Sequence, residues 1–247
     1  MMRVMATSPS RPSKADRVVE HVRRCVREGT MTPNQWYSAY QLADELEISR
    51  SPAREGLLRL EEAGLIRFTH NRGFQVIPTT GDDVAEIFTM RIALEVPAAR
   101  RAAALLDGDV TALRETRAAM QEAADRNDEA EFFRLDRHLH ALINSAGGGQ
   151  RTANTVEQLR NITQLIGTST AAEDLRTLSA IVQEHDPIID AIAARDRAAA
   201  GSFMLEHLSL TGRMLVAQAM GVSAHDEAAE QTWRKHTTGF LHDTGAD

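Results

Sequence analysis

A mainly α-helical protein in two parts is predicted from three observations. Aromatic residues make up only 4% of the 247 residues, with 15 Gly and 7 Pro, fewer than the strands and turns of a β-sandwich or barrel demand. Apolar residues recur at helical spacing along most of the chain, and a strand-turn-strand pattern occurs once, over residues 65–77. Charge divides the same way: residues 1–77 hold 12 Lys and Arg against 9 Asp and Glu, whereas residues 78–247 hold 16 against 26. With 43% hydrophobic and 26% charged residues, each part can bury a core of its own.

Residues 1–13 mix Ser, Pro and Arg without period and read as a flexible arm ahead of a domain over 14–78. Val18, Val19, Val22, Cys25 and Val26 then recur at helical spacing until Glu28-Gly29 closes the element. Ser38 caps a short helix that turns Leu42, Ala43 and Leu46 inward, and Glu47-Ile48-Ser49 turns the chain. Ser49 reads as the N-cap of a third helix, with Arg50, Ser51 and Pro52 in its first turn, where a missing N–H breaks no helical bond. Ala53, Leu57 and Leu60 face inward until Ala63-Gly64. Leu65–Phe68 and Phe74–Ile77, joined by residues 69–73 and closed by Pro78, make a two-stranded hairpin. Three short helices and a hairpin are the element order of a winged helix-turn-helix.

After Pro78 the hairpin signals stop, and Thr80-Gly81-Asp82-Asp83 caps a long amphipathic stretch. Helices are predicted near 82–106, 109–127, 129–146, 151–169, 173–196 and 197–220, giving an all-helical antiparallel bundle over 79–221. The breaks fall at Asp107-Gly108, Asn127-Asp128 and Gly147-Gly148-Gly149. Residues 222–247 read as a polar tail, partly disordered or docked on a partner, with Trp233 and Phe240 isolated in it. The single cysteine, Cys25, allows neither an internal disulfide nor a Cys-based zinc site, which fits a reducing compartment. No apolar run approaches the roughly 18 residues of a membrane span, and residues 1–14 lack the apolar core of a secretory signal. A cytoplasmic protein without a membrane partner is expected.

A basic N-terminal part in a chain of net charge −7 points to a polyanion. Arg50 and Arg54, four apart, share one face of the third helix, and Arg is the side chain best shaped for a bidentate contact to guanine. Ser49 and Ser51 add short donors, while His70, Asn71 and Arg72 sit at the wing tip within reach of phosphate or the minor groove. The competing reading is a solvated helix face on which the arginines pair with Glu47, Glu55, Glu61 or Glu62.

Gln41-Leu42-Ala43, Ile48-Ser49-Arg50-Ser51-Pro52, Arg54-Glu55, Leu60-Glu61, Gly64-Leu65-Ile66 and Asn71-Arg72-Gly73 together resemble the GntR family of bacterial regulators over residues 15–77. The resemblance implies base- and phosphate-contacting roles for Ser49, Arg50, Ser51 and Arg54, and wing roles for His70 and Gly73. Three positions depart from the family pattern: Glu47 replaces a turn Gly, Gly56 a helical Ala, and Tyr40 a contacting Arg or Glu. Gly56 is expected to cost about 0.5–1 kcal/mol in helix propensity, and the Tyr40 hydroxyl remains able to meet a phosphate.

In the acidic part, Asp136 and His140 lie one turn apart on a predicted helix, a spacing that can chelate one ion. His185 and His207 fall on two later helices that an antiparallel pair would bring level. Three imidazoles and a carboxylate suit zinc, nickel or manganese rather than magnesium or calcium. Singly, each histidine reads more readily as an ordinary buried or exposed one. Arg91, Glu95, Leu135-Asp136-Arg137-His138-Leu139-His140, His185 and His207 resemble the ligand-binding helical domain of the FadR subfamily. That resemblance implies a metal held by Asp136, His140, His185 and His207; four protein donors leave room for two more in an octahedral shell, which water or a small carboxylate effector could complete. Arg91 and Arg134 are candidate partners for that carboxylate, against a reading of both as surface ion pairs.

The function expected is a ligand-responsive transcription regulator, a repressor, binding a palindromic double-stranded DNA operator as a homodimer. Three alternatives stand beside it: a regulator that binds an acyl ligand without metal, a structural DNA-binding protein, and a metal-dependent hydrolase. The hydrolase has little support, because His-Glu-x-x-His, Gly-x-Ser-x-Gly, a phosphate-cradling Gly-Lys-Ser/Thr loop and a dinucleotide fingerprint are all missing. Glu184 and Glu206 adjoin two of the proposed ligands, but residues adjacent on a helix point about 100° apart, so both are expected to face away.

Overall fold

The computed structural model describes residues 13–62, 64–69, 71–164 and 176–239, and the chain divides after Pro78 into two compact units. The predicted arm lies outside the described residues except for Ser13, which closes a capping box with Asp16 at the start of helix α1 (Lys14–Arg27). Helix α2 (Ala39–Glu45) is capped by Ser38, whose Oγ accepts from Gln41 N, and helix α3 (Arg50–Glu62) buries Ala53, Leu57 and Leu60 as expected. Pro52 stands in the first turn of α3, where it disrupts no helical bond.

The wing is larger than the hairpin read from sequence. Strands β2 (Ile66–Thr69) and β3 (Gly73–Val76) are joined by β1 (Trp36–Tyr37), giving the antiparallel order β1-β3-β2 with Trp36 opposite Gln75 and Tyr37 opposite Phe74. Two residues are too few to show a period-2 pattern, so β1 has no sequence signature of its own. Its pairing explains Gly73: at φ 106° a Cβ there would run into the Tyr37 carbonyl oxygen. Gly56 also has a structural reason. A Cβ at that position would lie 2.6 Å from Val18 Cβ and 2.8 Å from the Ala15 carbonyl oxygen, so the glycine lets α1 and α3 pack closely. The expected propensity cost is thereby offset by packing.

In the second unit, Thr80 and Asp83 form a capping box that starts α4 (Gly81–Leu105), which packs against the helices over Glu129–Gly148, Arg197–Met220 and Glu227–Thr237. The remaining helices are α5 (Thr111–Asp125), α6 (Glu129–Gly148), α7 (Gln150–Gln164), α8 (Leu178–Ala193), α9 (Arg197–Met220) and α10 (Glu227–Thr237). The helix predicted over 151–169 is present as far as Gln164 and that over 173–196 runs from Leu178 to Ala193, with residues 165–175 outside the described set. Gly147 lets α6 lie against α4, since a Cβ there would collide with the Ala98 carbonyl. Phe88, Ile92, Phe132, Leu139, Ile143, Ile188 and Leu208 fill the core between these helices.

The polar tail read from sequence is replaced by a docked helix. Trp233 of α10 is wholly buried, edge-on to Phe88 at 6.2 Å and seated over Gly212, where any Cβ would displace it. Lys235 Nζ and His236 Nε2 reach Asp82 Oδ1 at 2.7 and 2.6 Å, tying α10 to the first turn of α4. One indole in an otherwise polar stretch supplies the anchor, which is why periodicity gave no sign of it. Phe240 lies outside the described residues.

Candidate nucleic-acid interface and metal centre

The first residues of α3 are presented to solvent. Ser49, Arg50, Ser51 and Arg54 are all exposed, and Arg50 lies over the Tyr40 ring at 4.5 Å. The solvated-pair reading gains no support: among the described residues Arg50 and Arg54 have no carboxylate partner, while Glu55 is taken by Arg59 and Glu61 accepts the Phe68 N–H. Tyr40, Arg50, Arg54, Asn71, Arg72 and Gly73 border one cleft between α3 and the wing. Arg72 stacks on Trp36 at 4.1 Å, so β1 contributes a platform that holds the wing arginine outward. His70 lies outside the described residues. A helix start with unpaired guanidiniums beside a basic wing can contact base edges and phosphates together.

In the second unit α6, α8 and α9 bring His140, His185 and His207 together, with one donor atom from each within 4.8 Å of the others. All three are buried. Each ring gives Nδ1 to a partner on its outer side: Glu95 Oε2 for His140 at 2.5 Å, the Ile181 carbonyl for His185 at 2.8 Å, and Glu184 Oε2 for His207 at 3.0 Å. These acceptors assign the N–H to Nδ1 and leave a lone pair on each Nε2. His140 Nε2 and His185 Nε2 face one another at 3.4 Å, and Asp136 Oδ1 stands 3.2 Å from His185 Nε2. The three histidines form the cluster that a cation could join, and Asp136 stands beside it, with Oδ1 on His185 and Oδ2 on Arg160. The donor set is one that borderline divalent metals accept.

Electrostatics keep the donors in the form a metal needs. Burial lowers His140 to about 4, helped by the nearby Arg160 charge, and burial lowers His207 well below the usual histidine range, so both rings are neutral at pH 7. Burial by itself would raise Glu95, but Arg91 and His140 more than offset it and hold the carboxyl well below its ordinary value. Asp136 follows the same logic, with Arg160 the main opposing charge.

Beside the histidines lies a cavity of about 80 Å³, bounded by Arg91, Asp136, Arg160, Arg176, His207 and Thr211 among others. Arg91 is buried in it with Nε on Glu95 Oε1 at 2.8 Å, so it is no surface pair. Arg134 does not border this cavity: its guanidinium forks onto Glu131 at 2.7 Å and is more than half exposed, at the edge of a second cavity that His140 and Arg160 also line. Glu184 also departs from expectation. It does not point away but reaches His207 of the neighbouring helix and Arg176 at 3.0 Å, because a glutamate side chain is long enough to bend round its own helix. Glu206 is exposed, as expected. Arg160 and Arg176 had no sequence signal, since nothing in the spacing of α7 or of the segment before α8 marks which arginine turns inward.

Fold and residues together define a two-part regulator: a winged DNA-binding unit followed by an all-helical unit with a polar pocket. Residues 14–76 match the family "Bacterial regulatory proteins, gntR family" and residues 86–210 match the FCD domain, so the chain belongs to the GntR family, with the architecture of its FadR subfamily. It is a transcriptional regulator, as its family and its named relatives are. Its relatives include the HTH-type transcriptional regulator YdhC of Bacillus subtilis, 26% identical over 76% of this chain and 84% of that one. Another is the HTH-type transcriptional repressor RspR of Escherichia coli K12, 25% identical over 81% of this chain and 88% of that one. Among solved structures, E. coli McbR/YncC has the same fold with a TM-score of 0.66, at 21% identity over 84% of this chain and 99% of that one. A GntR regulator from Rhodococcus sp. RHA1 does so at 0.63, with 22% identity over 86% and 100%. No helix among the described residues is long and apolar enough to cross a membrane.

Proposed function

We propose that this regulator is a repressor that binds a palindromic operator as a homodimer and whose helical unit holds a divalent transition metal beside a small carboxylate effector. Zinc, nickel and manganese suit the ligands Asp136, His140, His185 and His207. The convergence of three Nε2 lone pairs, each fixed by an acceptor on Nδ1, is the observation that carries this reading. The metal supplies a positive centre on which a carboxylate can close the coordination shell. The residues of the chain orient the imidazoles, exclude water from the ligand side and provide guanidiniums for the anion. Arg91 serves the effector in this reading, whereas Arg134 is left to the surface.

For the reading head, Ser49, Arg50, Ser51, Arg54, Tyr40, Arg72 and Gly73 form the surface offered to DNA, with His70 at the wing tip. A relative named as a repressor supports the sign of regulation, and release of the operator by effector requires unequal affinity of the effector for the two states. His207 and Asp136 border a cavity of about 80 Å³ and His140 borders a second of about 340 Å³, so cavity size does not by itself separate the carboxylate reading from the acyl alternative. The test is elemental analysis of protein purified without chelators, alongside His140→Ala. About one transition-metal ion per chain, lost in the variant, is expected. No metal in the wild type, with zinc and nickel failing to bind on addition, would overturn the reading.

A further inference from the structure

The wing arginine is held by a ring and not by a carboxylate. Arg72 is exposed at the cleft between α3 and the wing, and its guanidinium carbon lies 4.1 Å from the centre of the Trp36 ring. Among the described residues it has no carboxylate partner. Arg50, at the same cleft, is carried in the same way on Tyr40. The distinction matters for DNA. A carboxylate occupies the in-plane N–H groups of a guanidinium, the same donors that a phosphate or a base edge requires, whereas an aromatic face takes the charge from above and leaves those donors free.

The indole is itself fixed. Neighbouring residues of a strand point to opposite faces, so in β1 Tyr37 packs its ring on Phe74, with centroids 5.7 Å apart, and Trp36 is left for the other face. The Tyr37 hydroxyl accepts the Thr32 N–H at 2.6 Å, the Asn34 N–H donates to the Val76 carbonyl at 3.1 Å, and the Gln75 side-chain amide donates to the Asn34 carbonyl at 2.7 Å. These bonds pin the segment that leads into β1. On the wing, the Arg72 N–H donates to the Thr69 carbonyl at 3.1 Å, and Gly73 sits against the Tyr37 carbonyl. The backbone on both sides of the stack is thus set by one small sheet. Trp36 does not line the cleft, so what it contributes passes through the arginine.

We propose that Trp36 is a positioning residue for DNA binding, whose indole holds the Arg72 guanidinium in place before DNA arrives. The wing contact then forms without the loss of side-chain freedom that a long, unsupported arginine incurs on binding. This rests on the reading of Arg72 as part of the surface offered to DNA, and adds to that surface a residue that acts from behind it. Arg72 makes the contact and Trp36 supports it.

The test uses the full-length protein and a fluorescein-labelled duplex that the wild type selects from a random pool, with affinity read by anisotropy and folding by urea denaturation. Trp36→Val keeps a strong strand former and removes the ring. It is expected to weaken binding about three- to tenfold at an unchanged urea midpoint. Trp36→Phe, which restores an aromatic face, should recover most of that loss. Arg72→Ala should weaken binding at least as much, and adding Trp36→Val to it should cost less than about twofold more, because the two residues act as one unit. Indole emission of the free protein should also differ between wild type and Arg72→Ala, since a charge leaves the face of Trp36 while Trp233 stays buried in α10. Wild-type affinity in Trp36→Val, a loss that Trp36→Phe does not recover, a full further loss in the Arg72→Ala background, or identical emission would each overturn the inference and leave Arg72 as a contact. A binding loss matched by a lowered urea midpoint would assign Trp36 to the sheet alone and overturn it as well. If no duplex is enriched, or if Arg72→Ala binds as the wild type does, the reading of the wing surface itself fails and this inference with it.

Discussion

Glu47 stands at φ 52° in the turn between α2 and α3, a left-handed conformation that disfavours a side chain with a Cβ. It is the position where the resemblance expects Gly. Glu47→Gly should therefore stabilise the DNA-binding unit, by about 0.5–1 kcal/mol, as read by urea denaturation; an unchanged or lower midpoint would show the strain to be absorbed elsewhere. Arg50 carries the opposite kind of prediction, since it is exposed, has no carboxylate partner and stacks on Tyr40. Arg50→Ala should weaken operator binding by about 1–3 kcal/mol and relax base preference at one position, with metal content unaffected. Fluorescence anisotropy with matched and mismatched duplexes measures both effects, and full affinity in the variant would remove Arg50 from readout.

At the scale of elements, two helices show how close contacts override local preference. Propensity alone makes Gly56→Ala a stabilising change, yet the Cβ would meet Val18 and the Ala15 carbonyl where α1 packs on α3. Overpacking should win, with a loss of about 1–3 kcal/mol in thermal or urea unfolding. A gain in stability would mean that α1 can back away at little cost. Helix α10 poses the matching question for the C-terminal segment. Trp233 is fully buried against Phe88 and Gly212, so Trp233→Ala should cost about 3–5 kcal/mol, the range for emptying a large aromatic site. A disordered tail would show no change, and near-ultraviolet circular dichroism with denaturation decides between them.

For the whole molecule, a metal on the proposed donors would couple folding to ligand binding, because those donors come from three helices of the second unit. Asp136 and His140 are on α6, His185 on α8 and His207 on α9, so no one helix can hold the site alone. A ligand that binds only the folded state stabilises it, by about 2.7 kcal/mol at a hundredfold excess over Kd. Chelator treatment should lower the melting temperature by several degrees, about 2–4 °C for each kcal/mol, and zinc should restore it. His185→Ala should show no such shift in either direction. An identical melting temperature with and without chelator in the wild type would argue that the histidines pack without a metal.

Much of this was written in local patterns. The period of Val18, Val22, Leu42, Leu57 and Leu60, the caps Ser38 and Thr80, and the hairpin around Gly73 set the order of elements, because helix, cap and turn signals act within a few residues. The division after Pro78 coincides with a change in charge and in pattern. Helical spacing and residue chemistry nominate Asp136, His140, His185 and His207 as a donor set, and the structure brings the three histidines of it together. Tertiary structure alone decided what lies next to what across the chain: β1 on β3, Trp233 over Gly212, Glu184 turned back to His207, and Arg160 and Arg176 facing one cavity while Arg134 faces solvent. Those placements depend on which helix faces meet and how far long side chains bend, and neither is encoded in the period of a single element.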